Sequence, residues 1–228
     1  MTRGVLYIVW GRERARHALA RSIESLQRTN PGLPHHVAEL PESATLLDKA
    51  RMASMSPFDV TAYLDADTVV LNRLDDGFTA AERHALACCI CEAPQAQRYI
   101  GSRGRPGLTV EYNTGVLFWH RTKAADVMRR WADAATRVDG RIRFHAGADQ
   151  IAEMPRNDQE SFAASMADAQ FSPFVLPLNW NWRPRFQPII HGPAIIWHDY
   201  RQIPPVFMDW NNRQLTTDVM GFFRMDGA

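Results

Sequence analysis

Val60-Thr61-Ala62-Tyr63-Leu64-Asp65-Ala66-Asp67-Thr68 is the stretch on which the reading of this chain turns. Residues 60–64 are a short apolar run with β-branched and aromatic members, the pattern of a strand buried on both faces. Two carboxylates follow at its C-terminal end. Ligands in open α/β sheets bind outside the carboxyl ends of the strands. Asp65 and Asp67, one residue apart in a tight turn, can share one hard divalent cation. Mg²⁺ or Mn²⁺ takes oxygen ligands and keeps diphosphate oxygens in its shell. An Asp-x-Asp triplet is also a common solvated turn, so the flanking sequence has to decide.

Working outward, residues 5–10 form an apolar strand candidate and residues 14–27 place Ala18, Leu19, Ile23 and Leu26 at helical spacing. Asn30-Pro31-Gly32 stops that helix, and residues 36–40 read as a second strand. Strand, helix, strand in that order implies a parallel unit. Residues 46–55 read as a helix ended by Ser56-Pro57, and 68–71 as a further extended piece. Beyond them, 79–84 is helical and 86–91 a strand. The segment 94–106 is a Gly-rich surface loop carrying Arg98, Arg103 and Arg105, with the composition of a lid. Residues 115–119 read as a strand, 124–138 and 158–168 as helices, and 174–178 and 194–197 as late strands. The tail from Pro204 is aromatic and irregular. The alternation predicts an α/β fold with a mostly parallel central sheet flanked by helices.

The chain has 228 residues, 46% of them apolar and 22% charged, enough for one sizeable core. One domain over 1–228 is expected. With Lys plus Arg at 26, Asp plus Glu at 25 and a net charge of +1, nothing points to nucleic acid or an anionic membrane as partner. Cys88, Cys89 and Cys91 are odd in number and clustered, which predicts reduced buried thiols rather than disulfides or zinc. The N-terminal apolar stretch is short for a secretion signal, and no run of about 18 apolar residues marks a membrane span. The expected location is cytoplasmic, with a peripheral visit to the membrane left open for a lipid-linked acceptor.

Four blocks, in order, resemble glycosyltransferase family 8, the glycogenin-like group. Leu47-Asp48-Lys49-Ala50-Arg51, Ser56-Pro57-Phe58-Asp59, the Asp65 triplet and Val69-Val70-Leu71-Asn72 are similar to its donor-site block. Glu111-Tyr112-Asn113-Thr114-Gly115-Val116-Leu117 resembles its Asn-x-Gly-Val strand, Asn157-Asp158-Gln159-Glu160 its Asp-Gln helix start, and Ile196-Trp197-His198 its late metal strand. The resemblance covers roughly residues 5–210. It implies the GT-A fold, with a donor-binding half near 1–120 and an acceptor-side half and tail near 121–228. It further implies Mn²⁺ or Mg²⁺ held by Asp65, Asp67 and His198, with Lys49 reaching the donor. Asn113, Asp158 and Gln159 would then face the donor sugar. After the metal His the family carries Gly and then Lys-Pro-Trp. This chain has Asp199-Tyr200-Arg201-Gln202-Ile203-Pro204 instead, so Arg201 is the expected replacement for the phosphate-gripping lysine. The chain is also short for the family.

Several residues carry second readings. Lys49 can be a solvated cation on a helix face, and His198 a hydrogen-bonded structural histidine. Asn113 can cap a turn before its strand, and Asp158 can cap its helix. In Asn179-Trp180-Asn181-Trp182, Trp180 and Asn181 have the chemistry to stack on and fork onto a sugar, and the same alternation serves as an aromatic anchor. Asp149-Gln150 near His145 is a lesser candidate Asp-Gln pair.

The function read from the sequence is a metal-dependent transfer of sugar from a nucleotide-diphosphate sugar, UDP-sugar first among them, to a glycan, lipid-linked or protein acceptor. The resemblance implies retention of configuration. A nucleotidyltransferase that makes the nucleotide sugar is the first rival. It wants a Gly-rich N-terminal loop, and Gly11-Arg12-Glu13 has one glycine. A non-catalytic carbohydrate-binding protein using Trp180 and Trp182 is the second.

Overall fold

The N-terminal apolar run forms strand β1 (Arg3–Val9), buried along both faces from Gly4 onward. The computed structural model describes residues 1–11, 13–91, 110–138 and 157–225, and the two short strands 142–145 and 151–154. After β1 come α1 (Glu13–Thr29), β2 (His35–Glu39), a 3₁₀ helix (Leu46–Arg51) running into α2 (Met52–Met55), β3 (Val60–Leu64), β4 (Thr68–Val70), α3 (Asp75–His84), β5 (Leu86–Ile90) and β6 (Tyr112–His120). Then follow α4 (Ala125–Ala135), β7 (Ile142–His145), β8 (Ile151–Met154), α5 (Gln159–Ala169), β9 (Phe174–Leu176), a second 3₁₀ helix (Leu178–Asn181), β10 (Ile189–His191), β11 (Ile196–His198), α6 (Pro205–Gln214) and β12 (Phe222–Arg224).

The central sheet has the order β2-β1-β3-β6-β5-β9. All its strands point one way except β6, which runs against both β3 and β5. Alternation along each strand then builds two cores. Val5, Tyr7, Ala62, Leu64, Val116 and Phe118 face one side, where Leu19 and Leu26 of α1 and Phe78 of α3 cover them. Leu6, Ile8, Tyr63, Leu117 and Trp119 face the other, under Met128 and Trp131 of α4 and Phe162 of α5. Each large side chain removed from water there contributes about 1.5–3 kcal/mol. This is the expected α/β architecture with a mostly parallel sheet between helical layers.

A third core joins the small β4–β11 pair to the chain's end. Trp182, Trp197 and Phe207 are fully buried together. Residues 204–225 therefore hold a helix and a paired strand, contrary to the irregular segment expected. Pro205 sits in the first turn of α6, where its missing N–H costs nothing, and β12 pairs antiparallel with β10. The helix expected over 46–55 is wound as a 3₁₀ turn for most of its length, because a short apolar pattern does not separate a period of 3.0 from 3.6. The three cysteines are buried and unbridged, and Cys88 and Cys89 enter opposite cores. Arg98, Arg103 and Arg105 of the expected lid, and the Asp149-Gln150 pair, lie outside the described residues, as does the side chain of His145. Among the described residues no helix is long and apolar enough to cross a membrane.

Candidate functional site

The end of β3 is tied down by its backbone. Asp65 donates its N–H to Gly115 O at 2.8 Å, and its carbonyl accepts the Thr68 N–H at 3.1 Å. The Thr68 hydroxyl adds a second bond to that carbonyl at 2.8 Å. This turn folds Asp67 back beside Asp65 and sends the chain into β4. The antiparallel register of β4 with β11 sets His198 opposite Thr68, so a residue from the far end of the chain arrives at the turn. His198 Nε2 lies 3.3 Å from Asp67 Oδ1 and 3.7 Å from Asp65 Oδ2. One ligand atom from each of the three falls within 4.8 Å of the others. Burial works against charge on Asp67, but His198 in its protonated form, then the backbone hydrogen bond, then Arg183 outweigh it and bring its carboxyl down to about 2. Two carboxylate oxygens and an imidazole nitrogen suit Mn²⁺, with Mg²⁺ less well served by the nitrogen.

Gly115 is what lets these groups meet. A Cβ at that position would stand 2.4 Å from His198 Cε1 and 2.7 Å from Asp65 Oδ2. No side chain fits beneath the converging ligands, which gives the glycine of the Asn-x-Gly block a steric reason.

The second half of the site is a buried charge cluster. Lys49 is 2% exposed, with Nζ at 2.9 Å from Asp65 Oδ1 and 3.4 Å from Asp158 Oδ2. The Tyr63 hydroxyl donates to the same Asp65 oxygen at 2.6 Å, and the Thr114 hydroxyl donates to Asp158 Oδ2 at 2.8 Å. Burial opposes charge on Lys49, but the two carboxylates prevail and keep it protonated. Burial also pushes the Asp158 carboxyl above the usual range, while Lys49 pulls it back. Lys49 is thus neither a solvated surface cation nor a side chain reaching outward.

The remaining expected residues divide. Asp158 occupies the N-cap position of α5, but its side chain makes no capping bond. Instead Asn157 Oδ1 takes the Gln159 N–H at 2.8 Å. Gln159 sits in the first turn of α5 and gives its amide to Glu111 at 2.6 Å. Asn113 lies inside β6, not in a turn before it, because distant partners satisfy its polar side chain. Asn181 Nδ2 donates to Asn113 Oδ1 at 2.8 Å. Trp180 is packed edge-on against Phe118 in the first core and Trp182 against Trp197 in the third, so this aromatic alternation is packing and offers no stacking platform for sugar. Arg201 is paired with Asp199 at 3.0 Å.

Tyr63, Thr114 and Arg21 join the site without having been expected. Tyr63 shares a strand face with position 65 by simple alternation, a signal the sequence did contain. Arg21, on α1, holds the segment after His198 by donating to the carbonyls of Asp199 at 2.6 Å and Arg201 at 2.9 Å. Nothing local to Arg21 announces that contact. Beside it is a cavity of about 430 Å³ whose lining includes Glu13, Arg14, His17, Arg21, Tyr200 and Gln202. Burial raises the Tyr200 hydroxyl, and the charges of Asp67 and Asp65 raise it further.

Solved structures share this arrangement of the chain. GlyE, a glycosyltransferase of Streptococcus pneumoniae TIGR4, superposes with a TM-score of 0.53 at 14% identity over 94% of this chain, which spans 60% of GlyE. The galactosyltransferase LgtC, solved with donor and acceptor sugar analogues, gives 0.54 at 12% identity, covering 93% of this chain and 94% of LgtC. Mouse xyloside xylosyltransferase 1 in its apo form gives 0.55 at 12% identity over 90% of this chain and 100% of that one. No protein-family model matches the sequence, and no curated protein does. The chain has the GT-A glycosyltransferase fold.

Proposed function

We propose that this protein is a metal-dependent glycosyltransferase that moves a sugar from a nucleotide-diphosphate sugar to an acceptor, with retention of configuration. The observation that carries the reading is the convergence of Asp65, Asp67 and His198 within 4.8 Å at the strand ends of a GT-A fold. A divalent cation held there, Mn²⁺ before Mg²⁺, supplies positive charge to the leaving diphosphate.

The chain's own residues do the rest. Lys49 holds Asp65 and Asp158 in place from inside, so their positions are set before any ligand arrives. Asp158 and Gln159, at the start of α5, face the donor sugar. Arg201, released from Asp199, and the arginines of the adjoining cavity meet the diphosphate. UDP-sugar is the first donor to try, and the acceptor is a glycan, a lipid-linked chain or a protein. The donor-binding half near 1–120 and the acceptor-side half near 121–228 form one domain in this reading. Its place is the cytoplasm, at the membrane surface when the acceptor is lipid-linked.

Thermal unfolding against a panel of nucleotide sugars, with and without Mn²⁺, tests the reading. A ligand at about 100 times its Kd adds about 2.7 kcal/mol to the native state. That is a rise of about 5–10 °C for a chain of this size. A rise with a nucleotide-diphosphate sugar that requires Mn²⁺ is expected. A rise with nucleoside triphosphate and sugar 1-phosphate alone would instead favour a nucleotidyltransferase. A glycan effect independent of nucleotide and metal would favour a carbohydrate-binding protein.

A further inference from the structure

The hydrogen bonds behind the metal corner determine which nitrogen of His198 carries its proton. The backbone N–H of Gly115 can only donate, and it donates to the Asn113 side chain at 2.9 Å. The Asn113 atom it meets is therefore the amide oxygen. That same oxygen lies 2.8 Å from the Asn181 side chain, so the Asn181 atom facing it is the NH₂ nitrogen. The other end of the Asn181 amide is then its oxygen, which lies 2.7 Å from His198 Nδ1. An acceptor at that distance requires a proton on Nδ1. In a neutral imidazole the second nitrogen is then bare, and Nε2 is the atom turned toward Asp67 and Asp65. The three side chains are buried: Asn113 and Asn181 are 2% exposed and His198 is 7%. Water does not compete for these bonds. Turning the Asn181 amide over would set two oxygens against each other at Asn113.

We infer that Asn113 and Asn181 are positioning residues for a divalent cation. They form a relay of two amides, anchored on the Gly115 N–H, that holds His198 in the Nδ1–H tautomer and leaves Nε2 as the ligand atom. The inference rests on the metal reading of Asp65, Asp67 and His198. It replaces the sugar contacts expected of Asn113 and Asn181. Ligand histidines in metal sites are oriented by the bond their other nitrogen makes, and losing that bond costs about 10–100-fold in metal affinity.

The tautomer is read directly from the imidazole ¹⁵N signals of metal-free protein, at a pH above the ordinary histidine range. The His198 signals are those missing from His198→Gln. Wild type is expected to show Nδ1–H. Asn113→Leu, a shape-matched change one amide removed from the ring, is expected to mix the tautomers. The same variant should weaken Mn²⁺ binding, titrated by paramagnetic resonance, by about 10–100-fold. Nε2–H in wild type would overturn the relay, and so would wild-type tautomer and Mn²⁺ affinity in folded Asn113→Leu. If the variant does not fold, the wild-type spectrum still decides. Nδ1–H in a wild-type protein that takes up no Mn²⁺ would uphold the relay and overturn the metal reading, which keeps the two failures apart.

Discussion

Asp65 faces a cation on one side and the proposed ion position on the other, and the two are built in opposite ways. On its Oδ1 side the cation is Lys49, covalently part of the fold, 2% exposed and shared with Asp158. On its Oδ2 side are His198 and Asp67, whose side chain is 18% exposed, at the position proposed for a divalent ion. The internal cation gives Asp65 a fixed rotamer and one satisfied oxygen. The external position inherits that geometry without having to impose it. A rigid charge behind a labile one is a way to present a metal ligand already in place.

Removing the internal cation is expected to have the largest effect on the fold. Lys49→Met leaves Asp158 buried without its charge partner, and breaking a buried pair in this way costs about 3–5 kcal/mol. Urea unfolding reads it, and a loss under about 1 kcal/mol would mean that Asp158 is held by Thr114 and its own neutralisation instead. Gly115→Ala attacks the rim. Its Cβ would stand 2.4 Å from His198 Cε1, so overpacking should cost about 1–3 kcal/mol, and Mn²⁺ affinity should fall with it. Wild-type Mn²⁺ binding in that variant would show that the ligands do not need their present spacing.

Asp67→Ala sharpens the contrast from the other side. Asp67 supports little of the apolar core, but its depressed carboxyl lends the native state some stability, so a loss of about 1–2 kcal/mol is expected while turnover is abolished. Full activity would rule out the proposed site. The smallest effect is expected from pH. Burial raises the Tyr7 hydroxyl and pushes that of Tyr112 up to about 12. Groups raised in the folded state lend stability that is complete below the free-tyrosine value near 10 and fades as pH climbs past it. Unfolding midpoints should therefore fall between about pH 10 and 12, with tyrosinate absorbance appearing as structure is lost. Ionisation of all five tyrosines in a still-folded chain would contradict this burial.

Much of the frame was legible in the chain. β3 has the expected bounds, 60–64, because a short β-branched run before a polar turn has few other solutions. The Asp-x-Asp turn, the Asn-x-Gly strand and the late histidine were each visible as local patterns. Trp180 and Trp182 left two readings open because a polar-aromatic alternation does not say whether its rings meet a ligand or a core, and here they enter two different cores. The helix and strand of the tail were hidden because Phe207 and Phe223 become core residues only when Trp182 and Trp197 are beside them.

The sequence by itself determined the order of the central-sheet strands and the helices that cover them, and the placing of two carboxylates at a strand end, because side-chain periodicity and turn chemistry act over a few residues. The tertiary structure decided what each polar group does. Lys49 became an internal counter-charge because β3 and the start of α5 close on it from both sides. Asn113 and Asn181 became supports for His198 because each amide takes its meaning from the atom opposite, and those atoms come from distant parts of the chain.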